Sequence, residues 1–146
     1  MASNASLTLS YPAEDIALLM FDTPDKGANV LSQTVLAELD QHLSELEKRD
    51  DLAGLIITSG KPGMFIAGAD LREFLASLDA DTEAIIGICR QGQTMFSRLS
   101  KTPFVTVVAI AGKSVGGGAE LAVWCDRRIM SDGAKTEIGF PEVKMG

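Results

Sequence analysis

Short apolar runs alternate along this chain with stretches of helical period, and this alternation limits its fold more than any other feature. Ile16 to Phe21 reads as a strand, and Leu52 to Thr58 and Phe104 to Ile110 read as buried ones, the last rich in β-branched residues. Loop signals bound them: Pro24-Asp25-Lys26-Gly27, Ser59-Gly60-Lys61-Pro62-Gly63 and Pro103. Between the first two runs, Ser32 is placed to cap a helix reaching about Lys48. Its apolar stripe is Val35, Leu36, Leu39, Leu43 and Leu46. A second amphipathic helix is predicted from Thr82 to Leu99, with Ile85, Ile86, Cys89, Phe96 and Leu99 on one side. Leu7-Thr8-Leu9 and Arg128 to Ser131 add strands, with Pro12 to Asp15 as the turn after the first. Asp70 to Leu75 starts a helix with acids in its first turn, Gly112 to Gly118 reads as a loop, and Glu120 to about Cys125 as a helix. Strands alternating with helices predict an α/β fold with a largely parallel sheet.

The 146 residues suit one domain, taken here as residues 1–146. Apolar residues make up 46%, enough to build a core and to argue against disorder. The net charge of −7 disfavours a general nucleic-acid binder or an anionic membrane surface as partner. No apolar run approaches the ~20 residues of a spanning helix, and Met1 to Ser10 lacks the pattern of a signal peptide. Cys89 and Cys125 lie in apolar-patterned segments and read as buried thiols of a reducing, cytoplasmic protein. With one histidine and two distant cysteines, no metal site is expected. His42 reads as a surface or edge-of-core residue, and Trp124 and Phe96 as core.

Two segments bring small residues to the start of a helix. Phe65-Ile66-Ala67-Gly68-Ala69-Asp70 follows a strand and a loop, and Gly116-Gly117-Gly118-Ala119-Glu120 again lies between a strand and a helix. Free amides at helix starts favour negative charge, and glycines let a ligand approach the backbone. Two such amide sources converging on one oxygen would form an oxyanion hole. Each segment alone is more often a tight turn than a site. The second is neither a P-loop nor a dinucleotide fingerprint, because the spacing of Gly112-Lys113-Ser114-Val115-Gly116 fits neither. Glu120 and Glu142 are the carboxylate pair that could divide acid and base roles around one water, although both also suit solvated positions. Lys26, Lys61 and Arg72 lie near the small-residue loops and are the cations available to a phosphorylated ligand.

Taken together, these motifs resemble the crotonase (enoyl-CoA hydratase/isomerase) family. The resemblance is carried by Phe65 to Leu71, by Gly116-Gly117-Gly118-Ala119-Glu120-Leu121-Ala122 followed by Cys125-Asp126, and by Gly139-Phe140-Pro141-Glu142. Lys26-Gly27-Ala28-Asn29 stands where that family has a Lys-Ala-Leu-Asn-like loop. The resemblance runs from about Ile16 through nearly the whole chain. It implies the ClpP/crotonase-like spiral of ββα units and an acyl-CoA thioester substrate, with coenzyme A belonging to the substrate and no separate cofactor. By the same resemblance, the backbone N–H groups of Ala69 and Gly117 would form the oxyanion hole. Lys26, Gly27, Ala28, Ala67, Gly68, Ala69, Asp70 and Gly116 would line the CoA and substrate path, with Lys26 and Lys61 near its phosphates. Glu120 and Glu142 would hold the water that a hydratase adds to an enoyl-CoA. A double-bond isomerase, in which one glutamate dominates, and an acyl-CoA-binding fragment without turnover stay open as alternatives. The family continues past the Pro-Glu motif, so the chain reads as an N-terminal portion truncated at its C-terminus. The parent is expected to be a homotrimer or hexamer, or part of a fatty-acid oxidation complex.

Overall fold

The computed structural model describes residues 5–77 and 81–144. Met1 to Asn4, Met145 and Gly146, on which the leader and chain-end expectations partly rest, lie outside them.

Among the described residues, eight strands form two sheets. A five-stranded sheet runs β1(Leu7–Ala13), β2(Ile16–Phe21), β3(Gly54–Ser59), β5(Val105–Ile110), β7(Arg127–Met130) from edge to edge. A smaller sheet runs β4(Gly63–Ile66), β6(Gly112–Val115), β8(Glu137–Gly139). Among the described residues only the β1–β2 pair is antiparallel, and the other ladders are parallel. The chain lays one strand in the large sheet, the next in the small sheet, then crosses over and repeats. β3 with β4, β5 with β6, and β7 with β8 are successive turns of that spiral. The α/β expectation thus holds, and its specific form is the spiral of ββα units.

The helices are α1(Gln33–Leu46), α2(Leu71–Ser77), α3(Thr82–Leu99) and α4(Gly117–Trp124), and a short 3₁₀-helix covers Pro141–Lys144. α1 forms as its pattern dictates. The Ser32 hydroxyl accepts from the Val35 N–H at 3.2 Å, and Val35, Leu39, Leu43 and Leu46 are buried. They join Leu19, Phe21, Leu55, Ile57 and Phe65 in one core. Arg98 fastens α3 to α1 by pairing with Glu47 at 2.9 Å and with Asp40. α4 follows β6 directly and packs on β4. A β-carbon on Gly118 would lie 2.6 Å from the Ile66 carbonyl oxygen, so the contact admits only hydrogen there.

Several expectations need correction. β4, β6 and β8 occupy segments read as loop or left unassigned. β1 runs on through Pro12, which an edge strand tolerates, and its register shifts between Ser10 and Ala13. Cys89 is exposed, not buried, because only Met95, Phe96 and Leu99 of α3 pack into the core. The amphipathic period of the first half of α3 is real, but Ile86 and Ile88 meet no cover among the described residues. Trp124 is 39% exposed at the end of α4 and is not core.

Candidate active site

The first segment of the site leaves β4 at Ile66. Three hydrogen bonds clamp it to the strip that precedes α1: Ala67 N–H to Asn29 O at 2.8 Å, Leu31 N–H to Gly68 O at 2.8 Å, and Asp70 N–H to Leu31 O at 3.3 Å. Leu31 and Ala69 make a parallel bridge. In such a bridge the flanking groups of one residue bond the partner, so the Ala69 N–H itself turns to the opposite side. Gly68 has φ +102°, a left-handed conformation that glycine adopts without penalty.

The second segment leaves β6 at Val115. Gly116 has φ +53° and ψ −124°, and turns the chain into α4. Its N–H donates to Gly139 O at 3.0 Å, and its carbonyl accepts the first helical bond, from Glu120 N–H at 2.9 Å. Gly117 is the first residue of α4, so its N–H has no carbonyl within the helix to bond.

These two segments meet. A β-carbon on Gly68 would lie 3.8 Å from the Gly117 nitrogen, and one on Gly117 would lie 3.7 Å from the Ala69 nitrogen. Glu142 reaches the same place from the 3₁₀-helix after β8. A β-carbon on Gly116 would lie 3.7 Å and 3.8 Å from its two carboxylate oxygens. Residues far apart in sequence thus converge on one point, where three successive turns of the spiral end. Glu120 stands in the first turn of α4 with an exposed side chain, and no hydrogen bond joins it to Glu142 among the described residues.

The chain that forms these turns is matched by a known sequence pattern. The family model described as enoyl-CoA hydratase/isomerase matches residues 12–146. The chain belongs to the enoyl-CoA hydratase/isomerase family. Among its curated relatives, the fatty acid oxidation complex subunit alpha of Aliivibrio fischeri is 40% identical over 147 residues, covering 100% of this chain and 21% of that protein. The chain spans about a fifth of the length of the curated relatives it matches. Of solved structures, the enoyl-CoA hydratase of Geobacillus kaustophilus HTA426 superposes with a TM-score of 0.84 at 29% identity, over 97% of this chain and 51% of that one. An enoyl-CoA hydratase of Bacillus anthracis gives 0.84 at 25% identity, over 97% and 53%. The crotonase fold of this chain is therefore established.

The remaining expected residues of this family member fall in three places. Lys26 and Gly27 are exposed and Ala28 is half-buried, on the loop between β2 and α1. Asp70 caps α2: its Oδ1 accepts from the Arg72 N–H at 2.9 Å, and Arg72 itself is exposed. Lys61 is not a free cation. Its Nζ is 2.7 Å from Asp22 Oδ1, donates to Thr23 O at 2.7 Å, and its side chain is only 14% exposed. It ties the β3–β4 loop to the end of β2.

Two residues of structural weight escaped the reading by pattern. Asn29 is wholly buried and braces the ends of three strands. Its Nδ2 lies 3.0 Å from Phe21 O, 2.9 Å from Ser59 Oγ and 3.0 Å from Phe65 O, while its Oδ1 accepts from the Thr23 N–H at 2.9 Å. Glu73 accepts from the Gln33 N–H at 2.8 Å, joining α2 to α1. Only its position after Asp70 in a helix start marked Glu73, and no pattern marked a long-range partner.

An open groove of about 630 Å³ lies on the outer side of β7 and β8, lined by Val123, Arg128, Met130, Ile138, Gly139 and Phe140. None of the expected site residues lines it. Among the described residues no group of three His, Cys, Asp or Glu side chains is placed to hold a metal ion, and no helix is long and apolar enough to cross a membrane.

Proposed function

We propose that this chain carries an enoyl-CoA hydratase site, adding water syn across the double bond of a 2-enoyl-CoA. The observation that carries the reading is the convergence of the Ala69 and Gly117 backbone turns with the Glu142 carboxylate over Gly116. Two amides aimed at one oxygen stabilise the enolate-like thioester oxygen, whose charge grows along the reaction. Glu120 and Glu142 then hold one water, deliver it to the β-carbon and protonate the α-carbon. Lys26, Gly27, Ala28, Ala67, Gly68 and Asp70 line the path of coenzyme A, which enters as part of the substrate and not as a cofactor. Lys26 meets its phosphates; Lys61 supports the neighbouring loop.

The name of the Aliivibrio relative supports a setting in fatty-acid oxidation as part of an oxidation complex, and the family resemblance adds a cytoplasmic location and a trimeric or hexameric parent. One observation favours a second reading, a double-bond isomerase. Only Glu142 lies against the amide pair, whereas Glu120 faces solvent, and isomerisation needs one dominant carboxylate.

The test is hydration of a short 2-enoyl-CoA, with a 3-enoyl-CoA as the competing substrate. Glu120→Gln and Glu142→Gln should each lower kcat by ~100-fold or more, as loss of a positioned acid or base does. Full hydration by either variant overturns its assigned role. Turnover of the 3-enoyl substrate alone, abolished only by Glu142→Gln, establishes the isomerase reading instead.

A further inference from the structure

We infer that Glu73 is a positioning residue, whose carboxylate latches α2 onto the start of α1 and thereby sets the direction of the Ala69 amide. The inference rests on the reading of Ala69 as an oxyanion donor.

α2 begins two residues after Ala69, and among the described residues no buried side chain of its own holds it. It is seven residues long and none of them is buried; Leu71, Phe74 and Leu75 are 70%, 54% and 61% exposed. A helix this short does not persist in water on its own propensity. Two carboxylates hold it instead. Asp70 caps it from within, accepting from Arg72 N–H at 2.9 Å and Glu73 N–H at 3.4 Å. Glu73 reaches outside it, and its Oε2 accepts from Gln33 N–H at 2.8 Å.

Gln33 is the first residue of α1. Its amide is one of those a helix start leaves without an internal acceptor, and the positive end of the helix favours a carboxylate there. α1 is also a rigid post, because Val35, Leu39, Leu43 and Leu46 root it in the core.

The segment from Leu31 to Gln33 therefore grips the segment from Gly68 to Glu73 at both ends. Gly68 O and Asp70 N–H are held by Leu31, and Glu73 by Gln33. Ala69 lies inside that grip. Of the three backbone bonds around it, Asp70 N–H to Leu31 O is the longest, at 3.3 Å, and it adjoins α2 directly. Without Glu73, α2 frays back to that bond, and the Ala69 amide loses its fixed direction. A displaced donor stabilises the transition state less while the remaining contacts still bind substrate, so the loss falls on kcat.

The experiment compares the parent protein with Glu73→Ala and Glu73→Gln. In Glu73→Ala, kcat for a short 2-enoyl-CoA is expected to fall about tenfold, less than the ~100-fold of outright donor loss, with KM within about twofold. The melting temperature stays near the parent value, since α2 buries no side chain. Amide exchange speeds up at Gln33 and across Phe74 to Ser77, and the Ala69 amide resonance moves. Glu73→Gln keeps an oxygen acceptor for Gln33, so it should restore both the rate and the Ala69 resonance.

An unchanged kcat in Glu73→Ala overturns the inference. So does a fall in kcat that tracks a fall in melting temperature and is not restored by Glu73→Gln. Should the parent turn over no enoyl-CoA, the hydratase reading fails by itself. The exchange and resonance data then decide the latch: unchanged values in Glu73→Ala overturn it, and changed values reversed by Glu73→Gln support it.

Discussion

Replacing Asn29 with Asp turns one amide nitrogen into an oxygen and leaves the shape of the side chain alone. The consequences follow from what surrounds it. The Thr23 N–H keeps its acceptor, because Asn29 Oδ1 has a counterpart in the new carboxyl. Ser59 Oγ has other partners, the Met64 carbonyl at 2.7 Å and the Lys61 N–H at 3.0 Å. Phe65 O loses the Asn29 donor and faces an oxygen instead, whereas Phe21 O faces an oxygen too but keeps the Gly60 N–H at 2.9 Å. A buried polar group left unsatisfied costs ~1–3 kcal/mol, and forcing the carboxyl to ionise in a wholly buried place adds to that, so the loss at pH 7 is expected to be about 2–4 kcal/mol. Against a typical total of ~5–15 kcal/mol, the variant is severely weakened. The loss also depends on pH in a definite sense. The buried carboxyl holds its proton more tightly in the folded state than in the unfolded chain, where it titrates near pH ~4. Its folded pKa is therefore raised. The penalty is smallest below the unfolded value and deepens as pH rises from there through the raised folded value. Urea unfolding of the parent and the variant at several pH values, compared at equal m, measures both quantities. A variant within ~1 kcal/mol of the parent at pH 7, or a loss that does not change with pH, refutes the brace assigned to Asn29.

Two further outcomes are expected. Cys125 is buried, and removal from water pushes its thiol up to about 12, while Cys89 is exposed. A thiol reagent at neutral pH should thus label Cys89 alone in the native protein and both cysteines after unfolding; equal native labelling contradicts the packing of α4. Gly118→Ala would drive a β-carbon to 2.6 Å from the Ile66 carbonyl, prising α4 from β4. A cost of ~3 kcal/mol lowers the melting temperature by about 6–12 °C, read by calorimetry; an unshifted transition refutes that contact.

Where side-chain periodicity is strong, sequence and structure agree closely. The stripe from Val35 to Leu46 and the β-branched run ending at Ile110 are both where their patterns put them. The second sheet was illegible for a physical reason. β4, β6 and β8 are short, and Gly63, Gly112 and Gly139 stand within them, so no alternation develops and the glycines read as turns. α3 shows the converse. Period identifies its apolar face, but period is silent about what covers that face, so Ile86 and Cys89 were misplaced on a buried side. The site divides in the same way. Small residues before helices marked Gly68, Ala69, Gly116 and Gly117, because backbone access depends on local residue size. Glu73 and Lys61 act through distant partners, with 40 residues separating Glu73 from Gln33 and 38 separating Lys61 from Thr23, and Asn29 acts through several strand ends at once. Such pairings exist only after folding.

The placement of Ala69 and Gly117 just past neighbouring parallel strands has a metric consequence. Adjacent strands lie ~4.8 Å apart. An oxygen held ~2.9 Å from each of two amides with that separation sits at the apex of an angle of about 110°. That is close to the angle between the two lone pairs of a carbonyl oxygen. In the proposed site, the gauge of such a cradle would follow the repeat distance of the sheet, a length set by backbone hydrogen bonding. Under the proposed reading, the sheet sets the separation of the two amides, and side chains such as Glu73 set their direction.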